Sequence, residues 1–207
     1  MKTGNSELMR QAQEALSGKW ALAIGTCLVY MIFASINVPL KTVHYEHLTI
    51  TVFGLGIFVY GPLTVGLAIF ALSVSRRQEA EFSMLFDGFN KYWVSVGAYL
   101  LVGVFTILWM LLLIVPGIIA AISYSQTFYI IADGNSVSAM EAIDKSKKMM
   151  DGYKMKYFLL SLRFLGLALL CILTLGIGFL WLIPYIYVTC ARFYDDIKQQ
   201  DQEPVQL

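Results

Sequence analysis

Few residues in this chain have types and spacing that could do chemistry. His44-Tyr45-Glu46-His47 is the one place where histidines gather. Two imidazoles at i and i+3 beside a carboxylate could ligate a metal if the segment were helical. No third or fourth ligand is visible, so a solvated loop is the plainer reading. Cys27, Cys171 and Cys190 show no CxxC spacing and lie inside apolar runs, where free cysteine behaves as a small buried hydrophobe. Ser123, Tyr124, Ser125, Gln126 and Thr127 place five polar side chains in succession inside another apolar run. Polar groups in hydrocarbon need partners, so this seam either lines a substrate path or hydrogen-bonds neighbouring helices. Arg163 is the only Lys or Arg well inside an apolar run. Its guanidinium presents a fork of donors that fits phosphate oxygens. Arg163, assisted by Lys154 and Lys156, is therefore a candidate contact for a lipid phosphate, with snorkelling as the alternative. Asp133 or Asp151 would compete for it within the protein. The sequence has no GxSxG, HExxH or Walker loop, so no catalytic, cofactor or metal site is expected. Gly54, Gly56 and Gly61 have the wrong spacing for a dinucleotide loop; with Gly66 and Ala68 they suit close helix packing.

The composition says what must position these residues. Apolar residues make up 58% and charged residues 14% of 207, against roughly 45–50% and about 25% in soluble domains. So few charges cannot cover a water-exposed surface. The balance excludes a disordered chain, a basic nucleic-acid binder and a secreted disulfide scaffold. A helix crossing the ~30 Å hydrocarbon core needs roughly 20 apolar residues, and spans are expected at about 20–40, 49–75, 93–112, 114–132, 157–173 and 177–192. The alternative is five spans, with Pro116 kinking one long helix. Such a helix, about 40 residues, would be ~60 Å long, twice the bilayer core. A polar segment precedes the first run, which is expected to be a retained anchor rather than a cleaved signal. Six spans place segments 1–19, 76–92, 133–156 and 192–207 on one side, and these hold thirteen of the fifteen Lys and Arg residues. The positive-inside rule then makes both termini cytoplasmic, with loops at 41–48, near 116 and near 176 outside. Trp20, Trp93 and Tyr157 fall where an aromatic belt is expected.

An internal repeat underlies the layout. Leu16-Ser17-Gly18-Lys19-Trp20, Phe86-Asp87-Gly88-Phe89-Asn90-Lys91-Tyr92-Trp93 and Met150-Asp151-Gly152-Tyr153-Lys154-Met155-Lys156-Tyr157 each place a glycine and a basic-aromatic patch before an apolar run. The preceding stretches, 5–17, 79–87 and 137–150, read as interfacial amphipathic helices. Leu8, Met9, Ala12, Ala15 and Leu16 share one face, as do Phe82, Leu85, Phe86 and Phe89. Ser138 and Glu141 are spaced as a capping box. Pro62, Pro116 and Pro184 are expected near the outer starts of the even-numbered spans. The fold expected is therefore all-α and integral to the membrane: a single polytopic domain of six helices in three hairpins, each preceded by a cytoplasmic interfacial helix.

Ser138-Ala139-Met140-Glu141-Ala142-Ile143, Met149-Met150-Asp151-Gly152, the run Leu173 to Gly178, Trp181-Leu182-Ile183-Pro184-Tyr185 and Ala15 to Trp20 together resemble a bacterial integral-membrane family catalogued as domain of unknown function 975. The resemblance covers nearly the whole chain. It implies six spans and a distant similarity to the membrane domains of some glycerophosphodiester phosphodiesterases. It implies no catalytic residues, and Arg163 departs from its pattern, which has a small polar residue there. The expected role is a non-enzymatic protein of the bacterial plasma membrane that organises or helps handle lipids or another envelope component. A small transporter or exporter subunit is the alternative. Membrane lipids are the expected partners, with a homo-oligomer or a membrane protein as further possibilities, and no nucleic acid.

Overall fold

The computed structural model describes residues 3–35, 41–45, 48–52, 56–136 and 138–202. The fold is helical apart from one short antiparallel pair. α1 (Asn5–Leu16) and α2 (Trp20–Ser35) open the chain, and β1 (Lys41–Tyr45) pairs with β2 (Leu48–Val52). Then come α3 (Gly56–Ser75), α4 (Met84–Asp87), a 3-10 turn at Gly88–Lys91 and α5 (Tyr92–Leu112). α6 (Ile114–Tyr124), α7 (Thr127–Ala132), α8 (Ala139–Met149), α9 (Lys154–Leu173) and α10 (Phe179–Gln202) follow.

Four helical stretches are long and apolar enough to cross a membrane: Phe58–Ser75, Met84–Leu112, Ile114–Ala132 and Lys154–Leu173. A fifth arises if α1 and α2, bent by 99°, count as one broken span. Two of the six expected spans are not among them. α2 is described as far as Ser35, and the rest of its expected run, 36–40, lies outside the described residues. α10 runs out of the apolar run into Arg192, Asp195, Asp196 and Lys198.

The boundaries differ from expectation in several places. The run expected to be helical from 49 instead forms β2, and α3 begins at Gly56. Thr49-Ile50-Thr51-Val52 is an unbroken β-branched stretch, stiff at χ1 and suited to a strand. The i, i+3 histidine geometry fails with it: His44 and Tyr45 belong to β1, while Glu46 and His47 lie outside the described residues, as does 36–40. The second expected interfacial helix, 79–87, shrinks to α4. Arg77, at φ 59°, closes α3 with the Gln78 N–H on the Ser73 carbonyl, and the chain after it does not resume a helix until Met84. Leu85 is buried there, but Phe82, Phe86 and Phe89 are exposed. Pro116 occupies the first turn of α6, whereas Pro62 and Pro184 lie deeper inside α3 and α10.

α3 is the central helix. About 67% of its apolar window is buried, against 17% for Met84–Leu112 and 11% for α9. Its centrality depends on small residues. A Cβ on Gly66 would meet the Leu85 carbonyl oxygen at 1.9 Å, one on Gly88 the Pro62 oxygen at 1.9 Å, and one on Gly61 the Ser95 oxygen at 2.6 Å. Backbone therefore touches backbone along α3, α4 and the start of α5. Gly18 and Gly152 play a different part, turning the chain at φ 79° and 76°, a region open to glycine without strain. The three glycines of the sequence repeat thus serve two purposes. The outer surfaces of α5, α6 and α9 are apolar and uncovered, with Leu111, Leu112, Ile114 and Leu173 all exposed.

Candidate functional site

The hydrophilic segments are tied together at one end of the molecule. Arg76, just past α3, is the hub. Its Nη2 donates to Asp195 Oδ1 at 2.7 Å and its Nη1 to Asp133 Oδ1 at 2.7 Å. Asp133 also accepts from Tyr194 Oη at 3.0 Å, from Asn135 Nδ2 at 2.8 Å and from Lys198. Burial pushes the Asp133 carboxyl up, but the bonds from Arg76 and Lys198 outweigh it and hold the group at about 2. Around this lattice Lys156 pairs with Asp196 at 2.7 Å, and Asn5 Nδ2 donates to the Lys156 carbonyl at 2.9 Å. Arg77 pairs with Glu14 at 3.2 Å, and Lys91 Nζ donates to the Ile131 carbonyl at 3.1 Å. Sequence reasoning reads the bases here mainly as topology signals, with Lys156 a candidate lipid contact and Asp133 a competitor for Arg163, and foresees none of these pairs. Asp133, Asp195 and Asp196, each within a few residues of the end of an apolar run, were the signal that the bases there would be paired.

The candidate lipid contacts are not gathered into one cluster. Lys156 is engaged by Asp196, its side chain only 15% exposed. Lys154 lies 3.9 Å from Asp151 and lines a separate cavity of about 320 Å³ with Lys147, Ser123 and Tyr124. Arg163 meets neither Asp133 nor Asp151. The first is enclosed by its own donors, and the second is 86% exposed beside Lys154. The partner of Arg163 is instead Ser6 of α1, with Nη1 donating to Oγ at 2.8 Å. Among the described residues Arg163 has no acidic partner.

That contact marks the mouth of a groove. α9 buries only Leu160 and Phe164 and stands away from α1, leaving an open space of about 490 Å³ lined by Ser6, Arg10, Gln13, Arg163 and Gly166. Met9, Gln13, Leu167 and Tyr185 also line an adjoining space of about 490 Å³. The second part is apolar, walled by Trp20, Leu170, Trp181 and Leu182. The Tyr185 hydroxyl donates to the Met9 carbonyl at 3.1 Å and fixes α1 across α10. Together the two adjoining spaces have a cationic, polar mouth and an apolar length.

The polar seam behaves differently. The helix breaks within it, with Ser125 and Gln126 forming the turn between α6 and α7. Ser123 and Ser125 hydroxyls donate to the carbonyls of Ile119 and Ile122, each at 2.8 Å. Ser146 of α8 bridges the break, donating to the Ser123 carbonyl at 2.7 Å and accepting from the Gln126 N–H at 3.2 Å. Tyr124 packs its ring under Lys147 Nζ, 5.6 Å from the ring centre. Gln126 Oε1 and Thr127 Oγ1 are buried without a partner. Of the cysteines, Cys27 and Cys190 are buried and all three are unpaired. No grouping of three or more metal-type ligands occurs among the described residues.

The chain is thus helical, with four or five candidate membrane crossings, charged segments tied together and an open groove beside them. It belongs to the family described as protein of unknown function (DUF975), whose model matches residues 1–123 and 110–201. No curated protein and no solved structure matches it.

Proposed function

We propose that this chain is a non-enzymatic, six-span protein of the bacterial plasma membrane that binds and helps handle lipids. Both termini are cytoplasmic. Its three helical pairs are α2 with α3, α5 with α6–α7, and α9 with α10; α1, α4 and α8 lie near the headgroup layer. The topology is supported by the cross-links among the four hydrophilic segments, which an odd number of crossings between them would separate. The interfacial reading of α1 is supported by its buried face, Leu8, Ala12, Ala15 and Leu16, and by its 99° bend from α2.

The observation that carries the lipid reading is the groove between α1, α9 and α10. Its cationic mouth and apolar length match the two ends of an anionic phospholipid. Arg163 has donors to spare for a phosphate. Lipid retention measured by native mass spectrometry after reconstitution with phosphatidylglycerol or phosphatidylcholine tests it. Arg163→Lys keeps the charge and loses the fork; Arg163→Leu loses both. Bound phosphatidylglycerol should fall in the order wild type, Lys, Leu. The leucine variant should lose about tenfold in retention, as befits a charged hydrogen bond of about 1.5–3 kcal/mol. Equal retention in all three proteins refutes the role. A transporter subunit is the second reading, and it rests on the orphaned Gln126 Oε1 and Thr127 Oγ1. It is weaker, because the other polar atoms of the seam bond locally or to Ser146.

A further inference from the structure

Four arginines converge beside α1. Arg10 of α1, Arg76 and Arg77 after α3, and Arg192 of α10 line an open pocket of about 440 Å³ together with Gln11 and Glu14. Within it the charges are unevenly matched. Arg76 is bound by Asp195 and Asp133. Arg10 is paired with Glu7 and with Glu14, and Arg77 with Glu14, the one acid lining the pocket. Arg192 makes no ion pair among the described residues, and its Nε is buried without a hydrogen-bond partner.

Two features of this arrangement are costly without a ligand. A buried guanidinium N–H without an acceptor loses its hydration and gains nothing in return. Four like charges around one small space repel; acids pair with Arg10, Arg76 and Arg77, but Arg192 is left without an ion pair among the described residues. One multiply charged anion in the pocket would relieve both.

We propose that Arg10, Arg76, Arg77 and Arg192 form a binding pocket for a phosphate-bearing anion, cytoplasmic under the topology above. Phosphate is favoured over carboxylate by the donor set. Each guanidinium is a planar fork, and several converging forks need three or four acceptor oxygens on one centre, whereas a carboxylate offers two. The phosphate has two possible sources, a soluble compound or the headgroup of an anionic lipid reaching in from the inner leaflet. The pocket is separate from the groove at Arg163, although Arg10 lines both, so it stands or falls independently of the lipid reading.

The full-length protein provides the test. In neutral detergent it is titrated with inorganic pyrophosphate by calorimetry, and in nanodiscs its retention of phosphatidylglycerol against phosphatidylcholine is measured. Arg192→Gln and Arg77→Gln are compared with Lys148→Gln, an exposed charge on α8. Saturable pyrophosphate binding that weakens about tenfold or more in both arginine variants, and is unchanged in Lys148→Gln, establishes the pocket with a soluble ligand. Phosphatidylglycerol retention lost in the same two variants, without pyrophosphate binding, establishes it with a headgroup. Arg192→Gln removes no ion pair, so the ligand-free melting temperature should hold, which separates lost affinity from lost folding. Binding of neither probe, or binding that both substitutions leave intact, overturns the proposal.

Discussion

Asp133 accepts from Arg76, Tyr194, Asn135 and Lys198 with a side chain only 9% exposed, so its ionised form is what holds α3, α7 and α10 together. Its folded pKa, about 2, lies below the value of about 3.9 expected of the unfolded chain. The unfolded state therefore binds the proton first, and the stabilisation is fully present above pH ~5 and is lost as pH falls through about 4 to 2. Asp133→Asn should cost about 2–3 kcal/mol at pH 7, since it leaves Arg76 and Lys198 short of an acid partner. It should also flatten the fall in melting temperature between pH 5 and 3 relative to wild type, measured by tryptophan fluorescence in detergent. Parallel pH curves for the two proteins would show that Asp133 is not the titrating hold. At this scale the sequence disclosed residue type but not partner. The placing of Arg163 inside an apolar run was legible, yet its partner Ser6, 157 positions away, was not. Nor was the capture of Lys156 by Asp196. Long-range pairing depends on how helices pack, and a list of charges near span ends does not contain that.

The elements were most legible where a pattern was local. Ser138 accepts from the Glu141 N–H at 3.2 Å and starts α8 as an N-cap, and Gly18 and Gly152 turn the chain as their positions suggested. The small-residue stripe of α3 was legible as well, because Gly61 and Gly66 have no other use in an apolar helix. Their packing partner was not. Gly88, the remaining glycine of the repeat, is instead the residue that lets the 3-10 turn lie against Pro62 and Gly66. The β-branched run 49–52 was passed over because hydropathy alone does not separate a buried strand from a helix end. The packing account makes a direct prediction. Gly66→Ala and Gly88→Ala each drive a Cβ into backbone and should destabilise by about 1–3 kcal/mol or more. Gly25→Ala and Gly103→Ala, where a Cβ meets nothing within 4 Å, should leave stability within about 1 kcal/mol. Thermal melting of the four variants in one detergent checks this; similar losses in all four would mean that close approach is not what the α3 glycines provide.

At the scale of the whole molecule, two gradients run in different directions. Charge is concentrated where residues 3–19, 76–92, 133–136, 138–156 and 192–202 meet, and apolar surface is left bare on α5, α6 and α9 while α3 is covered. A soluble fold would reverse the second gradient, since exposed leucine and isoleucine over several helix turns promote association in water. In a bilayer the same surface would meet acyl chains at no cost, and under the proposed topology the bases of the charged end would hold it at the headgroups. The sequence conveyed this arrangement well, because composition and charge placement are sums over many residues and survive errors at single boundaries. The number of crossings is less plain, because α10 continues into a charged tail and the run begun by α2 extends into residues outside those described. Topology is therefore the prediction that tests the molecule as a whole. With the native cysteines replaced, a cysteine introduced at Glu46 should react with a membrane-impermeant maleimide added to intact cells, and one at Lys147 only after the membrane is opened. An additional cysteine at Gly176, between α9 and α10, separates six crossings from four: it should label from outside if α9 and α10 both cross, and stay protected if the C-terminal pair lies against the inner leaflet. Labelling at Lys147 in intact cells would invert the orientation, and with it the assignment of the arginine pocket and the groove mouth to the cytoplasmic side.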